Sequence, residues 1–230
     1  HLRGRQATMK KRIALSGKMT TGKSTLSQVL VEQMDFQIVS IGTTIKKTST
    51  LLIDNPPLLF QYLKQMVKEN HKAQELFFSL LTAYNKGFSH SEWTKNTEGK
   101  LIKNQSFRDL LQVVATTGRN LLGENVWCEF AKNEAFLILA NDIPVIIDDL
   151  RIPSEKQLFE QNDFHIIRLD VEKEEQLRRI YNLYGEIDEE LLNHPTETAL
   201  DDACFDLRID TTHLTVEEVS EQLTCFITER

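Results

Sequence analysis

Residues 17–24 read Gly17-Lys18-Met19-Thr20-Thr21-Gly22-Lys23-Ser24, two glycines with four residues between them and Lys-Ser directly after the second. The apolar run Ile13-Ala14-Leu15 precedes this string, and a helix-like segment from Ser24 to Met34 follows it. Strand, glycine-bounded turn and helix in that order constrain the fold more than any other feature. The glycines let backbone N–H groups turn inward around phosphate oxygens, and the helix N-terminus adds partial positive charge. In such a loop Lys23 reaches the β- and γ-phosphates and the Ser24 hydroxyl ligates Mg²⁺. The segment Gly17–Thr25 is therefore expected to bind the phosphates of a nucleoside triphosphate such as ATP.

At 230 residues the chain is long enough for one α/β domain with a core that needs no covalent staples. A net charge of −7 gives no general attraction to a nucleic-acid backbone, so nucleic acid is not an expected partner. Cys128, Cys204 and Cys225 have no metal-ligand spacing and read as the reduced thiols of a cytoplasmic protein. No apolar run approaches membrane-spanning length, so no membrane partner is expected. His1–Thr8 carry no apolar pattern and read as a cloning remnant, with Met9 as the natural start.

From Met9 onward the pattern predicts a single domain. Strands are expected at Arg12–Ser16, Phe36–Ile41, Pro144–Ile147, Phe164–Leu169 and Phe205–Ile209. Alternation with helices makes this an α/β fold, a five-stranded parallel sheet wrapped by helices. Val145-Ile146-Ile147 reads as buried on both faces, whereas the last strand alternates and suits a sheet edge. Helical insertions fill the interval between the second and third strands. One helix is expected from Pro56-Pro57, a second through Leu76–Tyr84, a third over Phe107–Leu122 and a fourth over Val126–Ala140. Residues 85–105 are polar and read as a loop or insertion. Ser154 is the expected cap of the helix that follows Pro153.

Further charged residues suit phosphoryl chemistry. Asp148-Asp149 end the buried third strand, where an open α/β sheet binds its ligands. Asp149 is the candidate metal ligand and proton acceptor; neighbouring strand residues face opposite ways, so one carboxylate at most should face the loop. Arg151 beside it can grip a phosphate with its guanidinium fork. Arg108 and Arg119 lie eleven residues apart, close to three helical turns, and so on one helix face. Arg178 and Arg179 sit in a charged helix after the fourth strand. Residues of about 172–198 are expected to form a lid that docks poorly without ligand and brings one of these arginines to the transferring phosphoryl group. The sequence does not choose between the two.

Five motifs in this order resemble the bacteriophage-type deoxynucleoside monophosphate kinase family, over essentially residues 10–228. They are the phosphate loop, then Arg108-Asp109-Leu110-Leu111-Gln112 with Thr117-Gly118-Arg119, and Gly123-Glu124-Asn125-Val126-Trp127. The last two are Asp149-Leu150-Arg151-Ile152-Pro153-Ser154-Glu155 and His194-Pro195-Thr196-Glu197. The resemblance implies a P-loop nucleoside monophosphate kinase-like fold with a lid. It implies transfer of the γ-phosphoryl group of ATP, with Mg²⁺, to a deoxynucleoside 5′-monophosphate in the cytoplasm (the host's, for a phage protein), and it leaves room for a homodimer. Lys23, Asp149, Arg151, Arg178 and Arg179 take the catalytic roles. Lys46, Arg108, Arg119, Trp127, Arg151 and Glu197 take the acceptor, and Ser24 and Asp149 the metal. Ser24 stands where the family often has Asp, and Ala115-Thr116 where Gly-Thr is common.

Two other readings use the same frame. One is a P-loop kinase for another acceptor: a modified base in DNA, dephospho-coenzyme A or a phosphorylated isoprenoid. The other is an ATPase or GTPase switch, although the Asn-Lys-x-Asp guanine signature fails at Asn85-Lys86, which Gly87-Phe88 follows.

Overall fold

The computed structural model describes residues 9–84, 87–88, 91–95, 97, 101–185, 192 and 195–228, with only the backbone of residues 101–103, 184, 195 and 196. The expected lid is thus described in part, and His1–Thr8 and His194 lie outside the described residues. Five strands form one parallel sheet: β1 (Arg12–Gly17), β2 (Gln37–Val39), β5 (Val145–Leu150), β6 (His165–Asp170) and β7 (Leu207–Asp210). Their spatial order is β2-β5-β1-β6-β7. The chain is an α/β protein with a five-stranded parallel sheet flanked by helices. The central strand β1 delivers the glycine-bounded loop of residues 17–24 from between β5 and β6, at the carboxyl ends where such sheets bind ligands.

The pleat sorts the sheet residues. Ile13, Leu15, Ile146, Ile167 and Leu169 turn to one face, where Leu26 and Leu30 of α1 (Lys23–Met34) and Val219, Leu223 and Ile227 of the last helix (Val216–Thr228) close a dry core. Ala14, Val145, Ile147 and Ile166 are equally buried on the other face. Continuous apolar strands are what coverage of both faces requires. Each such side chain gains about 1.5–3 kcal/mol on burial, so the sheet is a rigid base for the loops at its ends.

The chain packs as two compact units, residues 1–40 with 135–230, and residues 41–134. The helical interval forms a unit because it encloses an apolar core of its own. It holds α2 (Ile41–Asp54), α3 (Pro56–Met66), α4 (Asn70–Tyr84), α5 (Gln105–Leu122) and the first part of α6 (Val126–Leu139). Leu52, Leu59, Leu63, Leu76, Leu110, Trp127 and Phe130 are buried there. The Asn55 side chain accepts from the Leu58 N–H, and Pro56-Pro57 open α3 as the sequence predicts.

Several boundaries differ from expectation. Strand β2 stops at Val39, and Ile41 already belongs to α2. Within residues 85–105, Trp93–Lys95 (β3) and Leu101–Lys103 (β4) pair antiparallel. Asn104 caps α5 by accepting from the Ser106 N–H, so that helix starts before Phe107. Ser154 is no cap: it lies inside α7 (Pro153–Glu160). There the Glu155 carboxylate folds back to accept from the N–H groups of Arg151 (2.8 Å) and Ile152 (3.3 Å). No helix among the described residues is long and apolar enough to cross a membrane.

Candidate functional site

The loop geometry follows from its residue types. Gly17 has φ +156°, and a Cβ there would lie 2.7 Å from the Leu169 carbonyl oxygen of the neighbouring strand. Gly22, at φ +91°, is the N-cap of α1. The Thr21 hydroxyl donates to the Lys18 carbonyl (2.9 Å), which pins the turn. Lys23, the first residue of α1, lies across the loop with its ammonium donating to the carbonyls of Gly17 (2.5 Å) and Lys18 (2.8 Å). Burial lowers its pKa from 10.5 to about 8; the Arg151 and Arg168 charges push the same way, while Glu197 and Asp148 oppose them. A cation with a weakened hold on its proton, at a helix N-terminus, is an anion site held ready.

Beside it is a cavity of about 460 Å³, lined by the loop from Thr20 to Thr25 together with Arg179, Asn182 and Leu183. A smaller one of about 120 Å³ adjoins it, also lined by Arg179 and closed by Thr211, Leu214, Val216 and Val219. Arg179 and Arg178 occupy α8 (Lys173–Tyr184) but part company. Arg179 reaches the Thr20 carbonyl (3.2 Å), the Thr211 carbonyl (2.6 Å) and Glu175 (2.7 Å). Arg178 also pairs with Glu175, but its side chain stands in solvent. The two guanidiniums, Arg178 first, hold the Glu175 carboxyl down at about 2. The cavity thus belongs to Arg179, and Arg178 is a surface partner that keeps Glu175 charged.

The two strand-end carboxylates also part company. The register of β5 on β1 runs from Ala14↔Ile147 to Ser16↔Leu150, an extra residue on β5. This bulge re-aims the side chains at Asp148 and Asp149. Asp148 accepts from the Ser40 hydroxyl (2.5 Å) and acts on Lys23. Asp149 acts on Glu155. Of the two expected carboxylates, Asp148 is the one whose charge acts on Lys23.

The crest of the loop is held from outside by the segment after β6. The Met19 N–H donates to Glu197 Oε2 (2.8 Å), and its carbonyl accepts from the Gln176 amide (3.1 Å). Lys18 pairs with Asp201 (2.7 Å), which also takes Arg168 (2.6 Å). Arg168, 3% exposed, donates to Ser16 as well (3.0 Å). Helix α8 is thus docked rather than loose, since Gln176 and Ile180 are buried. Its exposed large apolar side chains, Tyr181 and Leu183, lie near its end. Glu197, on the short α9 (Pro195–Thr198), holds protein groups with both carboxylate oxygens, the second facing Arg151 Nη1 at 3.4 Å. Gln176, Arg168 and Asp201 are contributors that sequence reasoning missed; a buried Arg in a strand was their one signal.

In the helical unit, Trp127 is 1% exposed and its indole N–H donates to the Ala115 carbonyl (2.9 Å), so it is a core residue and not a substrate contact. Lys46 pairs with Glu92 (2.5 Å). Arg108 and Arg119 both lie on the exposed side of α5, and neither pairs with a described carboxylate. Among the described residues there is no cluster of three or more His, Cys, Asp or Glu that could hold a metal. Ser24 and Asp148 offer hard oxygen donors only, which suits Mg²⁺, an ion that keeps waters and substrate oxygens in its shell.

No protein-family model matches the chain, and no curated protein matches it. Among solved structures it is similar to the crystal structure of TT1252 from Thermus thermophilus, at 14% identity and a TM-score of 0.45 over 96% of this chain and 100% of that one. A likeness that loose carries no functional argument.

Proposed function

We propose that the chain is a phosphotransferase that moves the γ-phosphoryl group of ATP to a deoxynucleoside 5′-monophosphate. The observation that carries the reading is Lys23, a partly buried ammonium at a helix N-terminus, beside a cavity of phosphate-loop residues and Arg179. The triphosphate lies along the loop, its oxygens taken by backbone N–H groups at the start of α1. Lys23 turns from the loop carbonyls to the β- and γ-phosphates, where charge shifts during transfer. The base is taken by the smaller cavity, against Leu214 and Val216.

Ser24 and Asp148 would hold Mg²⁺, which when bound neutralises charge on the β- and γ-phosphates. Arg151, whose side chain is 54% exposed, has a free edge for the acceptor's phosphate. Arg179 stabilises the transferring group and, with α8, keeps water from it. The choice of a deoxynucleoside monophosphate, and of Arg108 and Arg119 as its further ligands, is supported by the sequence resemblance and by two exposed arginines without a described acidic partner.

The test is a coupled assay of ADP formation from ATP and Mg²⁺ against each nucleoside and deoxynucleoside monophosphate. Turnover should depend on a deoxynucleoside monophosphate. Equal hydrolysis with and without acceptors would instead identify an ATPase.

A further inference from the structure

We infer that Glu197 is a positioning residue that fixes the Arg151 guanidinium against the crest of the phosphate loop, setting the acceptor's anion site relative to the donor's. The inference rests on the kinase reading for its effect on the acceptor, but its geometry stands alone. The Glu197 side chain is 7% exposed. A buried carboxylate is retained only where its oxygens are satisfied, and here each has its own partner. Oε2 takes the Met19 N–H at 2.8 Å, and Oε1 faces Arg151 Nη1 at 3.4 Å.

The Met19 peptide is a fixed point, because Gln176 holds its carbonyl and the neighbouring Lys18 is tied through Asp201 to buried Arg168. Arg151 is the mobile partner: its backbone N–H is held by Glu155, and Glu197 is the one carboxylate among the described residues that pairs with its guanidinium. One carboxylate therefore joins an immobile loop to an arginine that would otherwise sweep through solvent. Each oxygen already faces a protein group, and the negative charge of Glu197 would repel a phosphate it touched. With the inner edge of the fork on Glu197, the outer edge is left for an anion.

Two variants separate the two oxygens. Glu197→Gln keeps an acceptor for the Met19 N–H but turns an NH₂ group toward Arg151; Glu197→Ala removes both contacts. Met19 amide exchange, followed by NMR in the ligand-free protein, should stay near wild type in the Gln variant. In the Ala variant it should quicken by about tenfold or more, the scale of one lost hydrogen bond to a charged group. In the coupled assay, Glu197→Gln should raise KM for the acceptor about tenfold while KM for ATP stays within about twofold, as loss of a charge-assisted contact on one substrate's side requires. Placed on Arg151→Ala, Glu197→Gln should add almost nothing.

Unchanged Met19 exchange in Glu197→Ala overturns the inference. So does a wild-type acceptor KM in Glu197→Gln, or a Gln effect that persists undiminished without Arg151. Should the wild-type protein phosphorylate no monophosphate, the kinase reading falls, and Met19 exchange with the Arg151 Nε–H resonance still decides. An Arg151 resonance indifferent to Glu197→Gln overturns the clamp, and a shifted one sustains it.

Discussion

Lys23→Met should stabilise the ligand-free protein while removing its function. The native ammonium is held at a cost: its pKa falls from 10.5 to about 8, chiefly through burial and then through the Arg151 charge. At ~1.36 kcal/mol per pKa unit this depression amounts to about 3 kcal/mol. Methionine keeps the apolar stem and drops the charge, but forfeits the hydrogen bonds to the Gly17 and Lys18 carbonyls. With each bond worth ~1 kcal/mol net, a gain of about 1–2 kcal/mol remains. For a chain of this size that is a rise in Tm of about 2–8 °C.

The pH dependence has a definite sign. Below about 8 the lysine is charged in both folded and unfolded states and the full penalty applies. Between about 8 and 10.5 the unfolded chain binds more protons than the folded one, so wild-type stability rises with pH relative to Lys23→Met. Above 10.5 the penalty has vanished. Chemical denaturation of both proteins at pH 7 and pH 10 measures the gap. Added ATP with Mg²⁺ should then stabilise only the wild type, with proton uptake near pH 8 as bound phosphate restores the lysine's charge. A variant less stable than wild type at pH 7, or a gap that does not narrow toward pH 10, would refute the reasoning.

Gly118→Ala should destabilise by about 2–3 kcal/mol, as overpacking does in a close-packed site, because its Cβ would lie 2.5 Å from Cζ2 of the buried Trp127 ring. A urea midpoint equal to wild type would mean the ring can move aside. Arg179→Ala should lower kcat by about 10²–10³, the loss typical of one preorganised electrostatic group, whereas Arg178→Ala should leave kcat almost unchanged; equal defects would contradict the division between them. Asp148→Asn should weaken apparent Mg²⁺ affinity in the coupled assay by about 10–100-fold, and Asp149→Asn should have the smaller effect. The reverse order would assign the metal to Asp149.

The glycine-bounded turn between β1 and α1, the five parallel strands and the edge position of the last were legible in the sequence because each rests on short-range rules. A glycine-bounded turn needs particular residues at adjacent positions, and a strand covered on both faces must be apolar throughout. The helices from Pro56 onward in residues 41–134 were legible for the same reason, through spacing and the Pro56-Pro57 start, whereas α2 over its full length was not. Which charged residue meets the loop was decided by the tertiary structure. Asp148 rather than Asp149 reaches the loop because a bulge appears only when β5 pairs with β1. Arg179 rather than Arg178 faces the cavity because α8 docks by Gln176 and Ile180, which sets the rotation of the helix. Trp127 lies in a motif but spends its indole on the Ala115 carbonyl, a partner twelve residues away. The grip of Glu197, Gln176 and Asp201 on the loop crest joins positions 157–183 residues apart, and no local pattern encodes such pairings. Sequence periodicity reports which face of an element is apolar; which neighbour meets its polar side depends on how distant segments pack.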